Sequence, residues 1–246
     1  MFADRNRSGT YIIMLCLAAA IFGMFFFLTL FVQQVLGFSP LTTGLAFLPV
    51  SAIIGVGAGL TSNLLPRYGP KPFMVTGSIL AAAGLSWLTL TDVNSTYLGS
   101  ILGPILVFGL GMGLMFVSLT IMALSNVEPQ ESGAASGLLN AMQQVGGSLG
   151  LSILVTVFGT ASRNEAEVQV PAFLSQAGPL EKARFAETGQ LPPPYADQVL
   201  TSGVSAGFVT AAIFAVVGAL VALFVIQVRQ SDIDRLKGGG AMLPGG

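Results

Sequence analysis

Apolar residues gather into six runs along the chain, at 10–36, 41–65, 73–91, 97–125, 132–160 and 204–228. Each run reaches the roughly 20 residues with which a helix crosses a bilayer. The breaks between them carry turn chemistry: Gly37-Phe38-Ser39-Pro40, the proline-bounded stretch 66–72, Asp92-Val93-Asn94-Ser95, and 126–130. One connection is long. Residues 161–203 collect Arg163, Glu165, Glu167, Glu181, Lys182, Arg184, Glu187 and Asp197 with the run Pro192-Pro193-Pro194, and predict a polar, partly helical segment outside the hydrocarbon. The pattern predicts an all-α membrane protein, with a six-span bundle over 1–229 and a flexible cytoplasmic tail at 230–246.

The fifth run is the least uniform. At about 100° per residue, Gly133, Gly137, Asn140, Gln144 and Gly147 fall on one stripe, with Leu138, Met142, Val145 and Leu149 opposite. A carboxamide in contact with lipid alone leaves its polar atoms unpaired at a cost of several kcal/mol, so this stripe is expected to face other helices or a wet cavity. Gly133/Gly137 and Gly146/Gly150 have GxxxG spacing, which lets two helix backbones approach closely. In the first run Phe22, Phe26, Thr29 and Gln33 share a face with Gln34 beside them; in the fourth, Gly109, Gly113, Phe116 and Thr120 do. These residues serve either packing or a substrate cavity. The cavity candidates are Phe22, Phe26, Thr29, Gln33, Gln34, Phe116, Asn140 and Gln144; the packing candidates are Gly109, Gly113, Gly133, Gly137, Gly146, Gly147 and Gly150. The third and sixth runs are more uniformly apolar and read as peripheral.

Composition narrows the chemistry. Only 9% of residues are charged and 53% are apolar, where a soluble domain carries nearer a quarter charged. The net charge of −1 gives no reason to expect a nucleic-acid partner. With no His and a single Cys, Cys16, neither a zinc site nor an internal disulfide is expected, and no serine–histidine hydrolase is possible. No cofactor, metal or enzymatic activity is expected. The Asp, Glu, Lys and Arg residues all fall in loops, tails or span ends, so no span interior carries the ionisable group that proton relays need. The distribution of basic residues sets the orientation: Arg5, Arg7, Arg67, Lys71, Arg229, Arg235 and Lys237 share one side, and Arg163, Lys182 and Arg184 face the other. The positive-inside rule then puts both termini in the cytoplasm of a multi-pass plasma- or inner-membrane protein.

Two runs carry a resemblance: FGMFFFLTLFVQQVLGFSPLTTGLAFLP at 22–49 and SGAASGLLNAMQQVGGSLGLSILVTV at 132–157. Both resemble the major facilitator superfamily, and within it the fourteen-span drug–proton antiporter branch of actinobacteria. The likeness covers residues 4 to about 229 and aligns with the second six-helix half of such a transporter. Arg67, Gly69 and Lys71 resemble the degenerate second copy of the family's cytoplasmic loop motif, with Pro66 where an acidic residue is expected.

The resemblance implies six helices arranged as two inverted three-helix repeats, with the first, second, fourth and fifth bordering a cavity shared with a second bundle. It implies the C-terminal half of a proton-coupled exporter of hydrophobic or amphipathic compounds, working by alternating access. The expected partners are the lipid bilayer, the small substrate, and either an N-terminal transporter half or a second copy. The embedded acidic residues would belong to that other half. Two alternatives stand beside this reading: a stand-alone membrane scaffold paired through its glycine faces, and an inactive truncated transporter.

Overall fold

A computed structural model describes residues 5–124 and 132–227. Eight α-helices are present among them: α1 (Arg5–Gln34), α2 (Pro40–Ala46), α3 (Leu48–Tyr68), α4 (Pro70–Leu88), α5 (Leu102–Leu124), α6 (Ser132–Gln176), α7 (Pro179–Thr188) and α8 (Pro193–Phe224), with a π-turn at Tyr97–Ile101 leading into α5. The chain is an all-α membrane protein. The expected break at 126–130 and the expected tail at 230–246 lie outside the described residues.

The connections follow the turn chemistry. Ser39 caps α2 by accepting from Thr42 N at 3.2 Å, ahead of Pro40, whose lost N–H is harmless at a helix start. Pro49 divides the second span: its ring excludes the carbonyl of Leu45, and the helix breaks at Phe47 into α2 and α3. Asp92 Oδ1 accepts from Asn94 N at 3.0 Å and Ser95 Oγ at 3.1 Å, an Asx turn between α4 and α5. Gly69 alone joins α3 to α4, with φ 74° and ψ 173°, a conformation essentially confined to glycine.

Five stretches are long and apolar enough to cross a bilayer, at 8–34, 40–68, 97–123, 133–176 and 193–224. The third expected span, 73–91, falls on α4, which has 19 residues and opens on Pro70-Lys71-Pro72. That start dilutes its hydropathy, and α4 earns its place by burial instead. The connection expected at 161–203 is more helical than its polarity suggests. Alanine, Glu, Gln and Arg carry α6 on to Gln176 without a break, with Gln169 Nε2 donating to Glu165 Oε1 at 2.8 Å one turn back. The sixth span starts at Pro193, because prolines fit the first turn of α8.

Glycines set how the helices meet. Cβ atoms built at Gly146 and Gly150 would strike α1 at the backbone of Leu15 (2.5 Å to its oxygen) and at Ala19. Those built at Gly109 and Gly113 would strike α3 at Val50 and Ile54. Bilayer lipid is as apolar as any Leu side chain, so helices associate there by such close backbone approach. The α1–α6 and α3–α5 pairs both run parallel, and exchanging α1 with α5, α3 with α6 and α4 with α8 maps one onto the other and α1–α8 onto α4–α5. The match to two inverted three-helix repeats is partial, because α6 packs on α8 whereas α3 and α4 scarcely touch beyond the Gly69 turn.

Phe27 fills the junction of α1, α6 and α8. It lies against Phe158 at 5.6 Å and Phe208 at 6.3 Å between centroids, with its ring against the backbone of Gly207. The apolar windows of α1 and α5 are 61% and 56% buried, against 17% for Pro40–Tyr68 and 22% for Gly133–Gln176. The third span is thus not peripheral within this chain. Through Met74, Gly77, Ala81 and Leu85, α4 buries itself against α5 and α8, while α3 and α6 leave broad faces uncovered.

Candidate functional site

A concavity of about 490 Å³ runs along the half of α1 farther from Asn6. Its lining comprises Phe22, Phe26, Thr29, Gln33 and Gln34, one helical face, together with Ile21, Phe25, Leu30 and Leu151 of α6. Five of the eight cavity candidates are therefore brought together. Phe22 and Phe26 expose 45% and 43% of their surface, and one edge of the Phe22 ring seats against Gly147. Phe25 turns the other way and packs edge-on against Phe47 at 5.2 Å, tying the wall of the concavity to the break between α2 and α3. Polarity offered no signal for Ile21, Phe25, Leu30 or Leu151, which sequence reasoning passed over.

Phe116, Asn140 and Gln144 are exposed but do not line this concavity. For Asn140 and Gln144 the reason is depth. Leu15 meets Gly146, Ala19 meets Gly150 and Gly23 meets Leu154, each pair 131 residues apart on parallel helices. In that register Gln33 is level with Asn164, about 20 residues and roughly 30 Å of rise beyond Gln144. The amides of α1 and α6 lie near opposite ends of the bundle, not together at mid-depth. A helical wheel projects away the axial coordinate, although the position of each residue within its own run already held it.

Neither the side-chain amides of Gln33, Gln34, Asn140 and Gln144 nor the Thr29 hydroxyl hydrogen-bonds to another described residue. All are exposed or half-buried. Unpaired amides on apolar helices require water or a partner, since lipid can satisfy neither the donors nor the acceptors.

The packing candidates divide as well. Gly109, Gly113, Gly146, Gly147 and Gly150 are buried against neighbouring helices. Gly133 and Gly137 pack against no helix among the described residues: a Cβ at either meets nothing within 4 Å there. Gly55 and Gly59 of α3, the counterpart of α6 in the other repeat, are equally open. In the loop motif, Gly69 forms the turn between α3 and α4 and donates its N–H to Leu65 O at 2.8 Å, and the Arg67 guanidinium stands 5.4 Å over the Tyr68 ring. Lys71 is half-buried in the first turn of α4.

Comparison with known proteins gives a consistent grouping. The sequence profile of the Major Facilitator Superfamily matches residues 2–151. A puromycin resistance protein of Streptomyces alboniger is 40% identical over 158 residues, covering 63% of this chain and 31% of that protein. The tetracenomycin C resistance and export protein of Streptomyces glaucescens is 30% identical over 251 residues, covering 95% of this chain and 46% of that protein. A cephamycin export protein of Amycolatopsis lactamdurans is 37% identical over 150 residues, 61% of this chain and 31% of that protein. The chain thus spans less than half the length of these relatives.

Proposed function

The chain belongs to the major facilitator superfamily, and from that premise we propose that it is the second six-helix bundle of a proton-coupled exporter of hydrophobic or amphipathic compounds. The observation that carries this reading is the 490 Å³ concavity, walled by exposed phenylalanines and edged by unpaired polar groups. Aromatic faces bind flat apolar compounds without strict geometry, and a few amides orient the polar ends of a substrate. The relatives named above for drug resistance and export support the same class of activity.

In this reading the open faces of α3 and α6 meet a second bundle, and the membrane-embedded acid that moves protons resides there. The two glycine seams keep this bundle rigid while it rocks against its partner. The amides at its two ends then meet water alternately, one set in each state of access. Both termini and the 66–72 loop lie in the cytoplasm, following the basic residues.

A flux assay in proteoliposomes tests the proposal, using this chain alone, with a matching first half, and in the full-length assembly with Phe26→Ala or Gln33→Leu. Proton-driven transport is expected only with both halves, and the two substitutions are expected to change which compounds are carried at unaltered protein abundance. Proton-driven efflux by this chain alone, or an unchanged substrate range in both variants, overturns the assignment. A stable homodimer with no transport in any combination instead favours the scaffold reading, which the open glycines at 55, 59, 133 and 137 would serve.

A further inference from the structure

At the end of the bundle opposite Asn6 and Gln227, the last turns of α6, the whole of α7 and the start of α8 fold into a small cap of their own. Its centre is Phe173, only 3% exposed, which meets Phe185 at 5.6 Å and Tyr195 at 5.5 Å, both edge-on. The connections are tied internally. Glu181 Oε2 accepts from Gly178 N at 2.9 Å, Gly189 takes the left-handed turn at φ 66° and donates to Phe185 O at 2.8 Å, and Gln190 N donates to Thr188 Oγ1 at 3.2 Å. A cap held this way preserves its shape, and it encloses a cavity of about 360 Å³.

The cavity has an aromatic floor of Phe173 and Phe185, a stiff wall of Pro192 and Pro193, and a rim bearing Arg184 and Gln190. Two ionic groups border it, and they are not equivalent. The Glu181 carboxylate is already committed to the backbone of its own helix start. The Arg184 guanidinium makes no hydrogen bond or ion pair with any described residue. A free guanidinium at the rim of a cavity with an aromatic floor matches a planar ring that carries a carboxylate, since the fork can bind both oxygens while the ring packs against the phenylalanines. The volume is at the small end for ligand sites, suited to one or two fused rings. We infer that this cap is a binding site for small aromatic carboxylates, separate from the concavity on α1 and independent of whether the chain transports anything.

The whole chain in lipid nanodiscs tests this by titration calorimetry with 2-naphthoate, 2-acetylnaphthalene and 2-naphthylmethylamine, which share a ring system and differ in charge. The carboxylate is expected to bind saturably and about tenfold more tightly than the neutral ketone, the amine most weakly. Arg184→Gln is expected to erase the preference for the carboxylate, and Phe185→Ala to weaken carboxylate and ketone alike. Because Arg184 is exposed and unpartnered, its variant should retain the thermal transition of the parent. Equal binding of all three probes, a preference for the amine, or an unchanged naphthoate affinity in Arg184→Gln would each overturn the inference, the first by indicating simple partition into lipid.

Discussion

Asn6 and Gln227, 221 residues apart, hold each other by two reciprocal hydrogen bonds. The Asn6 side chain donates to Gln227 O at 2.7 Å, and Gln227 N donates back to Asn6 Oδ1 at 2.8 Å. This clasp sits where α1 begins and α8 has just ended, and the adjacent Gly9 leaves room for Val225 and Ile226 to close over it. The first and last crossings are thereby joined at one end of the bundle. Asn6→Ala removes both bonds at an exposed site. The expected loss is about 1 kcal/mol, read as faster amide exchange over the first turns of α1 without a change in overall fold.

The two kinds of glycine on α6 should respond oppositely to the same change. Gly146→Ala drives a methyl into the Leu15 backbone, at 2.5 Å from its oxygen, and is expected to cost roughly 1–3 kcal/mol as α1 and α6 separate. Gly137→Ala meets no atom of the described residues within 4 Å and should leave the stability of this chain unchanged, while weakening its association with a second bundle. Thermal denaturation of the two variants in detergent, with co-purification of a first half, measures both. Equal destabilisation by both substitutions contradicts the assignment of an open face at Gly137.

Gly69 offers a backbone test. Its φ of 74° with ψ of 173° lies where an L side chain is strained by roughly 1–3 kcal/mol. Gly69→Ala should lower the melting temperature, and Arg67→Ala beside it should not, because that side chain is exposed and only overlies Tyr68. The pair of melting curves separates a conformational role for the loop from an electrostatic one.

Water access along the bundle gives the sharpest test of alternating access. With roughly 30 Å of rise between Gln33 and Gln144, single cysteines at positions 33, 140 and 144 in a Cys16→Ala background should be labelled by aqueous reagents in opposite states, 33 in one and the other two in the other. Conditions that favour an outward-open state should expose position 33 and protect positions 140 and 144, and an inward-open state should reverse this. If all three stay closed to aqueous reagents in the assembled transporter, the amides face lipid and the cavity reading fails.

Much of this architecture was legible in the sequence because the bilayer constrains it so strongly. Chain length per crossing, turn residues at 37–40 and 92–95, and the scarcity of charge fixed the helical class and most breaks, since unsatisfied backbone is intolerable in hydrocarbon. The Phe22–Gln34 face was legible too, because one helix's periodicity decides which of its own residues share a side. The continuation of α6 to Gln176 was less so, as polarity marks departure from the membrane but not the end of a helix.

Tertiary structure alone decided which glycines pack and at what depth the amides lie. Gly133 and Gly146 are the same residue on the same helix, and only the path of α1 makes one open and the other closed. Likewise, Gln33 and Gln144 lie at different levels, because the register between α1 and α6 is set by where Leu15 and Ala19 seat against Gly146 and Gly150. A sequence specifies what each helix presents around its axis; contact between helices specifies how far along that axis two faces meet.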